Sequence, residues 1–184
     1  VESSDVRIFP DEAYEKAGFE VTEDVSSCDV MLGVKEVPVE ALIPKKKYFF
    51  FSHTIKQQPY NRDLLRAILR KGIELYDHEV IVNENGGRLI GFGRYAGIVG
   101  AYNGFRVLGL RDEIFALPKV EKLTDLKALL KELEKVKLPP IKIVLTGNGK
   151  VAHGAREILE QLHIREVNVQ EYLNREFEYP VFCN

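Results

Sequence analysis

The chain has 184 residues, of which 26 are Lys or Arg and 28 are Asp or Glu, so its formal net charge is −2. With 45% apolar and 29% charged residues, the composition is that of a globular protein rather than a disordered one. A nucleic-acid binder and a membrane protein are disfavoured, because the charges balance and no apolar run approaches the roughly 20 residues that span a bilayer. Cys28 and Cys183 lack the spacing of a zinc site or a disulfide framework, so we expect no metal site and a reducing cytosol. Because the chain starts at Val1, we expect an upstream piece to be missing.

Strand and helix patterns alternate along the first half of the chain. Residues 28–34 form a short apolar run that a glycine ends, which is typical of a buried strand, and residues 47–52 form an aromatic-rich one. Residues 61–71 place leucine and isoleucine on one face and end at Gly72, as in an amphipathic helix. The prediction is completed by a helix at 11–18, strands at 6–9, 19–22 and 73–76, and a hairpin at 80–92 around Asn85-Gly86-Gly87.

A run rich in glycine and alanine follows. Gly93, Gly97, Gly100 and Gly104 recur at spacings of 4, 3 and 4, which places them on one face of a predicted helix over 93–110. Each glycine costs about 1 kcal/mol of helix propensity relative to alanine, so we expect another backbone to pack closely against this face.

The rest of the chain predicts a helix at 124–135, a linker at Leu138-Pro-Pro140, and then a strand at 141–146, a helix at 150–162 and a strand at 166–169. The last three are the start of a β-α-β unit. The fold class is therefore α/β, with two Rossmann-like domains built on parallel sheets. The first, at 1–115, includes the glycine-rich connecting helix; the second, at 116–184, begins a nucleotide-binding domain. A doubly wound domain has about six strands, so we expect the second domain to be incomplete in this chain.

A dinucleotide-binding fingerprint, G-x-G-x-x-A, follows the predicted strand at 141–146 and leads into the predicted helix at 150–162. Gly147 allows a tight turn, Gly149 lets backbone N–H groups approach a pyrophosphate, and Ala152 and Gly154 let the helix lie close on the sheet. Glu171 is the candidate for a ribose contact, although it equally suits the first turn of a solvated helix, so NAD and NADP are both open as the cofactor. The alternative is a glycine-rich turn that binds nothing.

Polar side chains follow three of the predicted strands. Lys35 and Glu36 come after the first, His53 after the second, and the segment Asp77-His78-Glu79 after the third. Since ligands collect at the carboxyl ends of parallel strands, these residues predict an acid–base site at one sheet edge. Each also has a structural interpretation: an exposed lysine, a histidine that caps a helix, solvated carboxylates, and a simple turn after the third strand.

Four segments in this order resemble a known family: Gly33-Val-Lys35-Glu36-Val-Pro38, Phe50-Phe-Ser-His53-Thr-Ile-Lys56, Leu75-Tyr-Asp-His-Glu79 and Phe92-Gly-Arg-Tyr-Ala-Gly97. They are similar to the lysine-forming saccharopine dehydrogenases and to the lysine–ketoglutarate reductase domain of the bifunctional lysine-degrading enzyme. These proteins belong to the superfamily of alanine dehydrogenase and the transhydrogenase N-terminal domain. The resemblance covers about residues 7–109 and 141–159.

The resemblance implies an NAD(P)-dependent oxidoreductase that acts on small molecules. L-Lysine and 2-oxoglutarate condense to an imine, and its reduction gives saccharopine in a reversible reaction. The resemblance puts the acid–base pair at Lys35 and His53, with neighbouring glutamates that adjust the pair's proton affinities at Glu36 and Glu79. The chemistry agrees, because imine formation needs proton transfer near neutral pH, for which a partly buried lysine and a histidine are suited.

The same resemblance puts the groups that hold substrate carboxylates at Lys56 and Arg88. Cationic side chains are the expected partners of a dicarboxylic substrate, and Arg can bind a carboxylate bidentately. Two alternatives stay open. A related amino-acid dehydrogenase, of the alanine dehydrogenase kind, would use the same Lys35 and His53. A non-catalytic ligand-binding module on the same fold would need neither these residues nor the glycine fingerprint.

Overall fold

Two separate sheets, each of three parallel strands, organise the chain in the computed structural model, which describes residues 1–184. The chain divides into two compact units, Val1–Gly91 and Phe92–Asn184, with one sheet in each. Strands alternate with helices in both units, which confirms the predicted α/β class with parallel sheets. No helix is both long enough and apolar enough to cross a membrane.

The first unit contains a sheet in the order β1-β2-β3, formed by β1 (Val30–Leu32), β2 (Lys47–Phe50) and β3 (Glu74–Asp77). Helix α2 (Arg62–Arg70) connects β2 to β3 and packs its buried face on the sheet. The core of the unit is made of buried side chains from β2, α2 and the loop before β2, namely Leu42, Tyr48, Phe50, Leu64, Ala67 and Ile68.

The amino-terminal part of this unit differs from the prediction. Helix α1 (Asp11–Lys16) is present but buries none of its residues. The predicted strand at 6–9 is wrong, because Val6, Ile8 and Phe9 are 94%, 68% and 62% exposed and pair with no strand. Of the predicted strand at 19–22, only an isolated bridge between Glu2 and Thr22 forms. An apolar run without a neighbouring strand has no ladder to join, and sequence alone does not show whether a neighbour exists.

The predicted hairpin at 80–92 forms a tight turn with a single antiparallel bridge, Val82 to Arg88. Asn83 closes the turn, because its side-chain oxygen accepts hydrogen bonds from the backbone N–H groups of Asn85 (3.1 Å) and Gly87 (2.7 Å). Gly86 has φ +75°, a left-handed conformation that glycine adopts without a steric penalty.

The second unit begins with α3 (Gly93–Asp112) and continues with α4 (Leu126–Leu133), β4 (Lys142–Val144), α5 (Lys150–Gln161), β5 (Arg165–Glu166), α6 (Val169–Asn174) and β6 (Val181–Cys183). Its sheet has the order β4-β6-β5. The predicted strand at 166–169 is wrong at its end, because Asn168 caps α6 and turns the chain into a helix at Val169. Strand β6 was not predicted from the sequence; it is only three residues long and is buried throughout between β4 and β5.

Helix α3 packs directly against α5, as the small residues on its face predict. A Cβ atom at Gly97 would lie 1.9 Å from the carbonyl oxygen of Val151, and one at Gly154 would lie 1.9 Å from the carbonyl oxygen of Arg94. The prediction of close packing holds at Gly97, and at Gly93 a Cβ would lie 2.9 Å from the Cβ of Lys150. It is wrong at Gly100 and Gly104, where a Cβ would meet no atom within 4 Å. Because α3 packs on α5, it joins the second compact unit, which begins at Phe92, whereas the sequence pattern grouped it with residues 1–115.

Candidate functional site

The carboxyl ends of β1, β2 and β3 meet at one edge of the first sheet. The backbone ladder continues beyond the strands, through hydrogen bonds from Gly33 N to the Phe49 oxygen (2.8 Å), from Phe51 N to the Val34 oxygen (3.1 Å) and from His78 N to the Phe50 oxygen (3.1 Å). The loops that carry the predicted acid–base residues therefore leave the sheet side by side, where parallel α/β sheets collect their ligands.

His53 and Glu36 form the central contact at this edge. Nδ1 of the His53 ring is hydrogen-bonded to Oε1 of Glu36, and the two side chains are 21% and 31% exposed. His53 has φ +55°, a left-handed conformation that is uncommon for residues other than glycine and is often found at functional sites. A 3-10 turn at Thr54–Lys56 follows directly and carries the chain away from the sheet.

The environment of Glu36 favours its charged form. Partial burial alone would raise the pKa of the Glu36 carboxyl, but the hydrogen bond with His53 and the nearby positive charges of His53 and Lys35 outweigh burial, so this pKa is lowered from its ordinary value. A carboxylate that stays ionised accepts a hydrogen bond from the imidazole ring and fixes its orientation.

Lys35 lies on the loop after β1, immediately before Glu36. Its side chain is exposed, so the partial burial expected from the sequence is wrong. Its nearby charge is one of the causes that lower the pKa of Glu36, and its catalytic role stays a prediction.

A second cluster lies around Glu79, on the loop after β3. Oε1 of Glu79 is 3.2 Å from Nζ of Lys56 and 3.5 Å from a guanidinium nitrogen of Arg88. The Glu79 side chain is only 11% exposed, and its other oxygen, Oε2, is buried without a hydrogen-bond partner. The predicted carboxylate-binding cations thus converge on one carboxylate, and the ion pairs of Glu79 are with them rather than with Lys35 or His53.

The dinucleotide fingerprint lies in the second unit, between β4 and α5. Gly147 has φ +89°, which accounts for a glycine at the turn, and Gly149 is the N-terminal cap residue of α5. No side chain caps the helix there, and the positive end of a helix dipole at its N-terminus favours a bound anion. A cavity of about 440 Å³ adjoins this loop and is lined by residues from 144 to 155, among them Thr146 and Lys150.

These residues fit the pyrophosphate of a dinucleotide cofactor. A Cβ atom at Gly147 or Gly149 would meet no atom within 4 Å, so the space beside the loop is open for a ligand to approach the backbone. Ala152 is buried, and its role in letting α5 lie close on the sheet stays a prediction. Gly154 does serve close packing, but its near neighbour is the Arg94 carbonyl of α3 and not the sheet, which corrects the predicted role.

Glu171 lies in the first turn of α6. Its backbone N–H donates to the Asn168 side chain (2.9 Å) and its carboxylate accepts from Asn168 in return, which is a capping box, while Arg175 pairs with its other oxygen at 3.1 Å. The structural interpretation of Glu171 is therefore observed, and a ribose contact stays a prediction.

The strand beside β4 is β6, so the chain that follows β6 approaches the fingerprint loop. With its amide oriented so that the nitrogen faces these oxygens, the Asn184 side chain donates to the carbonyl oxygens of Leu145 (2.7 Å) and Gly147 (2.9 Å) and accepts a hydrogen bond from Arg156 (3.2 Å). Asn184 was not predicted from the sequence, because finding it requires the pairing of β6 with β4.

Comparison with known proteins assigns the chain to a family. The family described as "Alanine dehydrogenase/PNT, N-terminal domain" matches residues 1–99. Alpha-aminoadipic semialdehyde synthase of Arabidopsis thaliana is 37% identical over 88% of this chain and 17% of its own length, and that of Bos taurus, described as mitochondrial, is 36% identical over 93% of this chain and 20% of its own length.

Saccharopine dehydrogenase [NAD(+), L-lysine-forming] of Candida glabrata is 30% identical over 92% of this chain and 50% of its own length. The chain thus spans between a sixth and a half of these relatives. A solved L-alanine dehydrogenase shares the fold, with a TM-score of 0.56 and 16% identity over 96% of this chain and 48% of that one. The resemblance stated from the four sequence segments is confirmed, and the chain belongs to the alanine dehydrogenase/PNT N-terminal domain family.

Proposed function

We propose that the chain is part of an NAD(P)-dependent amino-acid dehydrogenase that reversibly joins L-lysine and 2-oxoglutarate into saccharopine. The observation that carries this proposal is the arrangement at the first sheet's edge: a histidine held by a carboxylate, and two cations gathered on a second carboxylate. These are the residues at which the family's motifs place the proton chemistry and the carboxylate binding.

The proton chemistry is the work of His53. When the lysine amine adds to the keto carbon of 2-oxoglutarate, the carbonyl oxygen must gain two protons to leave as water, and the neutral amine must lose two protons to become the imine nitrogen. Glu36 binds Nδ1 of His53, which leaves Nε2 as the atom that accepts and returns a proton. Lys35, exposed beside Glu36, supplies a second group for proton exchange.

Lys56 and Arg88 bind substrate carboxylates. Both 2-oxoglutarate and saccharopine carry more than one carboxylate, so a site for them needs several cations. Glu79 holds the two cations about one carboxylate and limits their side-chain freedom before substrate binds, which lowers the entropic cost of binding.

The second unit holds the nucleotide. Gly147 and Gly149 present backbone N–H groups to the pyrophosphate, and Ala152 and Gly154 maintain the packing of α5 that positions those groups. The cofactor, NADH or NADPH, supplies the hydride that reduces the imine.

The test is a substrate panel on the full-length protein. Oxidation of NADH and of NADPH is followed with L-lysine plus 2-oxoglutarate and separately with pyruvate plus ammonium, and the product is identified by mass spectrometry. We expect saccharopine from the first mixture. Turnover only with pyruvate and ammonium would identify a related amino-acid dehydrogenase, and no turnover by folded protein in either mixture would identify a non-catalytic module.

A further inference from the structure

A buried acid joins the two loops that carry His53 and Glu79. Asp77, at the end of β3, is only 7% exposed, and Ser52, just after β2, is fully buried. The Ser52 hydroxyl donates to Oδ2 of Asp77 at 2.5 Å, and the backbone N–H of Ser52 donates to Oδ1 at 3.3 Å. One carboxylate thus fixes both the side chain and the backbone of the residue that precedes His53.

The same carboxylate also holds the loop after β3. The backbone N–H of Glu79 donates to Oδ1 of Asp77 at 2.8 Å, so this oxygen receives hydrogen bonds from both loops. On the other side, the Ser52 hydroxyl accepts from the backbone N–H of Thr54 at 3.1 Å and lies 2.8 Å from the Thr54 hydroxyl. The Ser52 hydroxyl therefore links the residue before His53 to the residue after it, Thr54.

These contacts give a reason for the unusual backbone of His53. A left-handed conformation at a residue other than glycine persists only where its surroundings enforce it. The residues before and after His53 are tied to one another through the Ser52 hydroxyl, and Ser52 is tied to Asp77. The conformation in turn directs the His53 ring to Glu36.

We propose that Asp77 is a positioning residue, which acts through Ser52 to hold His53 against Glu36 and acts directly on the backbone of Glu79. The inference rests on the function proposed above, and it adds two residues to which that function gave no role. Asp77 and Ser52 do not reach substrate; they fix the relative placement of the proton-transferring histidine and the carboxylate that gathers the cations.

Three variants of the full-length protein test the proposal. Asp77→Asn keeps the shape of the side chain but replaces one acceptor oxygen with a donor, and Ser52→Ala removes only the hydroxyl. Glu74→Gln is the matched control, because Glu74 begins the same strand, is exposed, and makes an ion pair with Lys47 away from the site.

The kinetic readout separates a positioning role from a purely structural one. We expect Asp77→Asn to lower kcat for saccharopine formation by about ten- to a hundredfold, since small misplacements of reacting groups have effects of this size. The dissociation constant for NADPH should not change, because the glycine fingerprint lies in the other unit. Because Asp77 and Ser52 act through one contact, the double variant should lose little more than Asp77→Asn alone.

The second readout does not depend on turnover. Nitrogen NMR of the histidine rings, with the His53 signal assigned by its loss in His53→Gln, reports the bond from Nδ1 to Glu36. We expect this signal to move in Asp77→Asn and in Ser52→Ala but not in Glu74→Gln. If it moves while no saccharopine forms in wild type, the proposed function fails and the positioning role stands.

The opposite result overturns the positioning role. If the folded Asp77→Asn variant keeps wild-type kcat and the His53 signal stays in place, the proposal is wrong, whatever the wild-type activity. If Asp77→Asn does not fold, Ser52→Ala decides between the two outcomes by the same two readouts, because it removes no charge and leaves the core intact.

Discussion

Alanine at Gly97 tests the close crossing of α3 and α5. A Cβ atom there would lie 1.9 Å from the carbonyl oxygen of Val151 and 2.7 Å from the backbone nitrogen of Ala155. Both obstacles are backbone atoms within a helix, so they cannot rotate away as a side chain can. The helices would have to separate, and the core between them would lose contacts.

Gly100 provides the matched control on the same helix. A Cβ there would meet no atom within 4 Å, so Gly100→Ala should stabilise the helix by about 0.5–1 kcal/mol. Gly97→Ala has the same gain in helix propensity but adds an overpacking cost of about 1–3 kcal/mol or more, so its net effect is a loss. At about 2–4 °C per kcal/mol for a chain of this size, the two melting temperatures should move in opposite directions.

Thermal unfolding of both variants, followed by far-UV circular dichroism, measures the difference. Gly154→Ala should behave like Gly97→Ala, because its Cβ would lie 1.9 Å from the carbonyl oxygen of Arg94. The close crossing would be disproved if Gly97→Ala melted at or above the wild-type temperature, or if Gly100→Ala lost as much stability as Gly97→Ala.

Three further predictions follow from single contacts. Because the Glu36 pKa is lowered in the folded state, its bond with His53 stabilises the protein above the ordinary carboxyl pKa of 4.5, and this contribution is lost as the pH falls through the lowered value. Urea unfolding should therefore show Glu36→Gln less stable than wild type by about 1 kcal/mol near neutral pH, with the difference vanishing in acid. A difference in the free energy of unfolding that does not change with pH would contradict this prediction. Asp125→Ala should lower the free energy of unfolding by about 1 kcal/mol in the same assay, because the Asp125 side chain accepts a hydrogen bond from the Ala128 backbone at 2.7 Å and caps α4. An unchanged urea midpoint would show that this cap does not stabilise the protein. Gly149→Ala should weaken NADPH binding by about tenfold in a fluorescence titration, because the added Cβ enters the space beside the fingerprint loop. The free energy of unfolding should fall by no more than a few tenths of a kcal/mol. Wild-type affinity for NADPH would show that Gly149 does not contact the nucleotide.

Local signals in the sequence predicted much of the fold. The apolar run of β2 and the amphipathic pattern of α2 lie where they were expected. The glycine spacing of α3 predicted a close helix contact, and Gly97 makes it with α5. β6 could not be found, because three residues carry too little periodicity and its place between β4 and β5 depends on pairing across the sheet.

The candidate site was predictable in composition but not in its pairings. That the residues after β1, β2 and β3 share one edge follows from parallel strands. Parallel strands do not determine which carboxylate pairs with which basic side chain. Glu36 binds His53, whereas Glu79 forms ion pairs with Lys56 and Arg88. Such contacts depend on loop conformations, and loops are set by tertiary hydrogen bonds.

The role of Asp77 shows the same limit. In the sequence, Asp77 is typical of a turn after a strand, and none of its neighbours along the chain indicates a contact with Ser52. The contact arises because β2 and β3 end side by side, which brings two residues 25 positions apart into one buried hydrogen bond.

The site assignment is tested most sharply by the turnover and nucleotide affinity of one double variant, Lys35→Met with His53→Gln, in the full-length protein. We expect saccharopine formation from L-lysine and 2-oxoglutarate to be abolished while the dissociation constant for NADPH stays at its wild-type value, because the proposed function assigns proton transfer and nucleotide binding to different units. Saccharopine formation at the wild-type rate by this variant would show that the proton chemistry lies elsewhere.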